Sequence, residues 1–257
     1  MKVSCVMTTY RRFNCVERSM SMFLNQDYQD KELIIFNTDI DYPLSLPSSP
    51  NNIKIINNGI DFITGLPYTN VGAIRRDALT FASGDYYYCY DDDDIYLPWY
   101  ISQGVDGIKR TGRKAWKPIK SFYKHRNGIE PAKNTLEASV IVDIKEVNFR
   151  LETGSEGLGW YIPLRDSGQL DENDSNSIPA YAFNWADPIE IGGHKQSGDI
   201  NNPNCFEDHK KLTVDFAKRP LEIVDVSKEY EPFYQYFRSF PNQFNQEYLS
   251  KYVIHHL

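Results

Sequence analysis

The chain has 257 residues, with 28 Lys and Arg against 35 Asp and Glu, giving a net charge of −7. That acidic balance excludes a generic nucleic-acid coat, which would be basic overall, though not a local basic site. With 41% hydrophobic and 14% aromatic residues the chain is not disordered, and its length suits one large α/β domain or one domain with an appendage.

Four scattered cysteines (Cys5, Cys15, Cys89, Cys205) with no CxxC pair argue against a disulfide framework or a zinc site and favour a reducing compartment. The start, "MKVSCVMTTY", lacks a long apolar leader and reads directly as a strand. No stretch reaches the roughly 20 apolar residues of a membrane span. The expectation is a soluble, cytoplasmic protein, in the host cytoplasm if it is viral. The oligomeric state is left open.

Val3 to Met7 is a short apolar run ending in Thr8-Thr9-Tyr10. From Asn14 to Asn25 the residues Val16, Met20, Phe23 and Leu24 have helical spacing. "ELIIF" (32–36) and Ile53 to Ile56 are further strands, separated by a Pro-, Ser- and Asn-rich loop. Residues 70–83 fit a helix stopped by Gly84, and Tyr86 to Tyr90 a fourth strand. This order predicts a doubly wound α/β sheet, in which ligands bind beyond the carboxyl ends of the strands. Polar clusters stand at those ends: Thr8-Thr9-Tyr10-Arg11, Asn37-Thr38-Asp39 and Asp91 to Asp94. No glycine-rich dinucleotide loop follows the first strand, which weakens a dehydrogenase reading.

The second half is less regular. Residues 109–126 hold eight Lys or Arg and no acid, interleaved with Trp116, Phe122 and Tyr123. That make-up suits a surface that stacks rings and holds phosphates, or else a solvated hairpin. Residues 137–147 read as a strand and the Gly-, Ser- and Asp-rich 152–177 as a loop. Phe206, Leu212 and Phe216 read as a helix that opens at Glu207-Asp208.

Four adjacent aspartates repel one another, and a divalent cation would relieve the repulsion. Mg²⁺ or Mn²⁺ takes oxygen ligands, commonly one or two carboxylates plus substrate phosphates. In an extended segment Asp91 and Asp93 would face one way and Asp92 the other. The plainer alternative is a solvated acidic turn. For Glu207-Asp208 it is favourable negative charge at a helix N-terminus.

Several ordered pieces resemble the family 2 glycosyltransferases of the GT-A fold: "VSCVMTTYRR", "SMFLNQDYQDKELIIFNTD", "GAIRRDALTFASGDYYYCYDDDDIYLP", and "EIGGH" followed by "CFEDHKKL". The resemblance implies a GT-A type doubly wound mixed sheet flanked by helices, with a C-terminal acceptor-binding portion. Residues 1–100 would be the nucleotide-sugar half, 101–225 the acceptor and catalytic half, and 226–257 an extension. It implies metal-dependent, inverting transfer of a sugar from a nucleotide donor, a UDP-sugar first, to a hydroxyl of a glycan or of a hydroxylated DNA base, as in some viral relatives. Thr8, Thr9, Tyr10, Arg11, Asn37, Asp39, Arg75, Asp91 and Asp92 would bind the nucleotide-sugar. Asp93 and Asp91 would hold Mn²⁺ or Mg²⁺, with His194 or His209 as a further ligand. Asp208, with Glu207 beside it, would be the general base. Trp116, Lys117, Lys120, Trp160 and Trp185 would meet the acceptor. The sequence departs from the family pattern where Asn37 replaces the first base-binding acid and where Arg76 and Ala78 replace Asn and Gly. Two other readings are a nucleotide-sugar-binding module without chemistry and a Mg²⁺-dependent phosphohydrolase using Asp91-x-Asp93.

Overall fold

A computed structural model describes residues 1–46, 50–125, 128–153 and 155–184. The strands are β1 (Val3–Thr9), β2 (Lys31–Asn37), β3 (Ile53–Asn57), β4 (Tyr86–Cys89), β5 (Ile95–Tyr96), β6 (Ala115–Trp116), β7 (Lys120–His125), β8 (Gly128–Lys133), β9 (Ile141–Asp143), β10 (Leu170–Asp171) and β11 (Tyr181–Asn184). The helices are α1 (Phe13–Leu24), α2 (Val71–Leu79), α3 (Tyr100–Thr111) and α4 (Leu158–Asp166).

Seven strands form the main sheet in the order β10-β6-β9-β4-β1-β2-β3. β1 to β4 run parallel to one another. β9 is antiparallel to both neighbours, β4 and β6, and β10 is parallel to β6. The carboxyl ends of β1, β2, β3, β4, β6 and β10 therefore share one edge, joined there by the amino end of β9. A second sheet, β5-β11-β7-β8, stands beside the first.

Strand alternation builds two cores. Val3, Cys5, Met7, Leu33, Ile35, Tyr88 and Tyr90 face one side with Val16, Met20 and Phe23 of α1 and Ile101, Val105 and Ile108 of α3. Val6, Ile34, Phe36, Tyr87 and Cys89 face the other with Ala73 and Ala78 of α2 and Trp160 and Leu164 of α4. That is the period-2 pattern of strands covered on both faces. The helix α2 starts where Asn70 Oδ1 accepts the Ala73 N–H at 2.8 Å, an amino-terminal cap. Among the described residues no helix is long and apolar enough to cross a membrane.

Three second-half expectations are corrected. The basic run is a hairpin only in its last part: its first residues close α3, where Lys109 and Arg110 complement the helix dipole, Ala115–Trp116 form β6 of the main sheet, and Lys120–His125 form β7, paired antiparallel with β8. The span 137–147 is no continuous strand but β9 between two 3₁₀ turns. The loop expected over 152–177 contains α4 and β10. Glycine conceals α3 in the sequence. A Cβ on Gly107 would lie 2.3 Å from the Trp116 ring, and one on Gly104 would lie 2.9 Å from Tyr88, so only glycine lets those rings pass under the helix.

The buried Glu32 on β2 pins three segments together. Its carboxylate accepts from Ser4 Oγ at 2.7 Å and Ser83 Oγ at 2.9 Å, and pairs with Lys2 and Lys54, each at 3.1 Å. Burial alone would raise its pKa; the bonds from Ser4, Ser83 and Lys2 outweigh that and bring it to about 2. The folded value lies below the unfolded one, so this stabilisation is complete above the ordinary Glu pKa of about 4.3 and lost as pH falls toward 2. Glu32→Gln is expected to cost about 2 kcal/mol at pH 7 and much less near pH 3, read by urea unfolding at both pH values.

Candidate functional site at the carboxyl edge of the main sheet

The aspartates leave β4 in the middle of the sheet, next to β1. The tyrosines before and after them are core: Tyr88 stacks on Tyr100 at 4.1 Å and Tyr90 on Tyr96 at 3.7 Å. These stacks hold the chain rigidly on both sides of the acidic turn. Asp92, Asp93 and Asp94 are buried, and Asp91 keeps 17% of its side chain exposed.

The expected alternation fails, because Asp92 and Asp93 lie in a turn rather than in an extended strand. Both meet one guanidinium. Arg12 Nη1 donates to Asp93 Oδ2 at 2.9 Å, and Arg12 Nη2 lies 2.9 Å from Asp92 Oδ1. The second contact is too poorly aligned for a hydrogen bond, so Asp92 Oδ1 is a buried oxygen with no donor. Asp92 Oδ2 accepts from Thr9 Oγ1 at 2.7 Å. Burial pushes the Asp92 carboxyl up, against the pull of Arg12. Asp94 is buried and accepts from Tyr181 Oη at 2.5 Å, tying the turn to the second sheet.

Asp91 follows a separate path. Arg75, on the buried face of α2, places Nη2 at 2.7 and 2.9 Å from its two oxygens, and Nη1 at 2.9 Å from Glu156. Arg75 thus joins β4, α2 and the turn that opens α4.

The first-strand cluster gathers as expected. Arg11 sits in the left-handed region at φ 53°, rare for a residue with a side chain. The strain aims its Nε at Asp39 Oδ2, 2.5 Å away, while the guanidinium lies 5.2 Å from the Tyr10 ring and 5.4 Å from the Tyr42 ring. Thr8 is half-buried at the end of β1, facing Phe36 of β2 in register. Asn37 shapes this loop: its amide donates to the carbonyls of Asp39 and Tyr42 and to Asn57 Oδ1. Two of those acceptors are fixed carbonyls, which a carboxylate at 37 could not bond.

The acceptor expectations are mostly corrected. Trp116 is fully buried under α3 and donates Nε1–H to Asp174 at 3.0 Å. Trp160 is 3% exposed within the second core. Neither ring is free to stack on an acceptor. Lys117 is 3% exposed, bonded to Tyr161 Oη at 2.8 Å and paired with Glu172 at 3.1 Å. Lys120 is half-buried at the start of β7. Trp185, His194, Glu207, Asp208, His209 and the extension 226–257 lie outside the described residues.

The edge also holds residues the sequence reading passed over: Arg12, Glu137, Glu156, Tyr161 and Glu172. Arg12 stood in the quoted "TTYRR" beside a cluster that needs a cation. The others belong to stretches misread as strand and loop.

Among the described residues no three His, Cys, Asp or Glu side chains converge on a common metal position. The donor set nevertheless suits a hard cation in part. It offers carboxylate oxygens alone, one of them buried without a donor, and a substrate diphosphate would complete the shell.

No protein-family model matches the sequence. Solved structures do share the fold. S. aureus TarS 1–349 in complex with UDP-GlcNAc matches 86% of this chain and 68% of that one, at 15% identity and a TM-score of 0.52. The same protein with UDP matches at 13% identity, over 86% and 67% of the two chains, with a TM-score of 0.50. The mannosyltransferase PcManGT from Pyrobaculum calidifontis, in complex with GDP-Man and Mn²⁺, matches at 10% identity over 93% and 69%, with a TM-score of 0.50. At these identities the likeness is one of fold, and the fold is that of the GT-A glycosyltransferases.

Proposed function

We propose that this protein is a metal-dependent glycosyltransferase that moves a sugar from a nucleoside-diphosphate donor, a UDP-sugar first, to a hydroxyl acceptor with inversion. The observation that carries the reading is the meeting of the Thr8–Arg11 and Asn37–Asp39 loops with Asp91–Asp93 at one sheet edge. Support comes from fold neighbours whose structures hold UDP-GlcNAc, UDP, or GDP-Man with Mn²⁺.

Each group has a physical task. The first two loops offer the nucleoside base a wall of Thr8, Tyr10 and Asp39, with Arg11 closing it from outside. Asp91, the most exposed of the four acids, faces the ribose side and is held there by Arg75. Asp93 and Asp91 would hold Mn²⁺ or Mg²⁺ together with the diphosphate. The ion supplies charge stabilisation for the departing diphosphate. Arg12 Nη1 sits on Asp93 Oδ2, so a metal bound at that oxygen would displace the guanidinium, toward the incoming phosphates. Inverting displacement then needs a carboxylate within reach of the acceptor hydroxyl.

The phosphohydrolase alternative needs a free aspartyl nucleophile after a strand. Asp91 has both oxygens on Arg75, and Asp93 lies under Arg12, which disfavours it. The acceptor hydroxyl belongs to a glycan or to a hydroxylated DNA base, and burial takes the Trp116 and Trp160 rings out of the stacking argument that fitted either.

Calorimetric titration of wild type with UDP is expected to show binding that strengthens at least about tenfold with Mn²⁺, a gain that Asp93→Ala abolishes. Absence of metal-dependent nucleotide binding in wild type would end the reading. Arg12→Leu leaves Asp92 and Asp93 buried without their counter-ion and is expected to cost about 3 kcal/mol, visible as a lowered melting temperature. Mn²⁺ with UDP should raise the variant's melting temperature more than that of wild type. An equal shift in both would mean that Arg12 and the metal do not share a site.

A further inference from the structure

We infer that Glu137 is the carboxylate that takes the acceptor's hydroxyl proton; the inference rests on the transferase reading above.

The topology places it. β9 runs antiparallel between β4 and β6, with Ile141 opposite both Tyr88 and Trp116. Its amino end therefore lies at the edge where β4 delivers Asp91 and β6 delivers Lys117. Glu137 opens the 3₁₀ turn at that end. Its side chain lies over the start of α4, where a Cβ on Gly157 would come within 2.7 Å of Glu137 Cγ. The absent side chain at 157 gives the carboxylate its place.

The neighbouring groups are committed. Arg75 pairs with Asp91 and Glu156, and Lys117 with Glu172, which also accepts from Tyr161 Oη at 2.6 Å. Glu137 feels the charges of Arg75 and Lys117, but among the described residues it forms an ion pair with neither. It is half-buried, so a bound acceptor can reach it. Burial, reinforced by the charge of Glu156, raises its proton affinity against its own backbone N–H and the two cations. A carboxylate with raised proton affinity accepts a proton more readily than an ordinary one.

The step balances. The acceptor oxygen forms its bond to the anomeric carbon as its proton passes to Glu137. The bond from the anomeric carbon to the phosphate oxygen breaks, and its electron pair leaves on the nucleoside diphosphate. The proton on Glu137 then passes to solvent. With water as acceptor the same step hydrolyses the donor, which permits a test before the acceptor is known.

The test follows nucleotide release from UDP-GlcNAc and from GDP-Man, with Mn²⁺ and water as acceptor, in the full chain and in Glu137→Gln, Glu137→Ala and Asp208→Asn. Glu137→Gln is expected to keep nucleotide affinity within about twofold while turnover falls by about 10²–10⁴. Added formate should restore part of the turnover of Glu137→Ala, which loss of packing alone would not allow. If Glu137→Gln does not fold, the formate arm decides. Wild-type turnover in Glu137→Gln overturns the inference alone, as does loss of turnover confined to Asp208→Asn. A wild type that neither binds nucleotide nor releases it from either donor overturns the transferase reading and this inference together.

Discussion

Four aspartates stand at the carboxyl edge of a sheet; two arginines from other elements reach three of them, and the fourth, Asp94, accepts from Tyr181. Arg12, from the turn after β1, covers Asp92 and Asp93. Arg75, from the buried face of α2, holds Asp91 and Glu156. Removing a partner from such a buried pair costs far more than the pair contributes, so the pairing binds four chain segments into one arrangement. The tyrosine stacks on either side of the turn give that arrangement a rigid base. Everything assigned to the site depends on this balance of charge.

The same balance alters the metal argument. The repulsion of four carboxylates suggests an obligatory divalent ion, yet the protein carries cations of its own. On the proposed reading, a metal and its diphosphate would exchange with Arg12 at Asp93 Oδ2 rather than fill an empty seat. Exchange of this kind couples donor and metal loading, since a guanidinium that leaves Asp93 finds phosphate oxygens as its next partners. Arg11, strained at positive φ and joined to Asp39, marks the other side of the same loop as preset geometry.

The first half of the fold was legible because its elements are strongly patterned. β1, β2 and β4 are apolar runs buried on both faces, and α1 shows its face as Val16, Met20 and Phe23. The strand-end clusters followed from topology alone. The second half obscured itself for physical reasons. α3 carries glycines where rings must pass, α4 carries Gly159 and Pro163, and β6, β9 and β10 are two or three residues long. Such strands are specified by their neighbours rather than by their own residues. Trp116 and Lys117 looked like a binding surface because composition does not say which way a side chain points. Arg12 was visible and overlooked, since the acidic run was read with an external cation in mind.

The central claim is that the arginine-held acidic turn is a donor site whose cation is exchangeable. Anomalous diffraction at a manganese-sensitive wavelength, from crystals grown with UDP and Mn²⁺, addresses it directly. The account predicts one manganese peak bound by Asp93 or Asp91 and the diphosphate, with the Arg12 guanidinium moved off Asp93 and onto phosphate. A manganese peak elsewhere, or bound UDP with Arg12 still on Asp92 and Asp93, would contradict it.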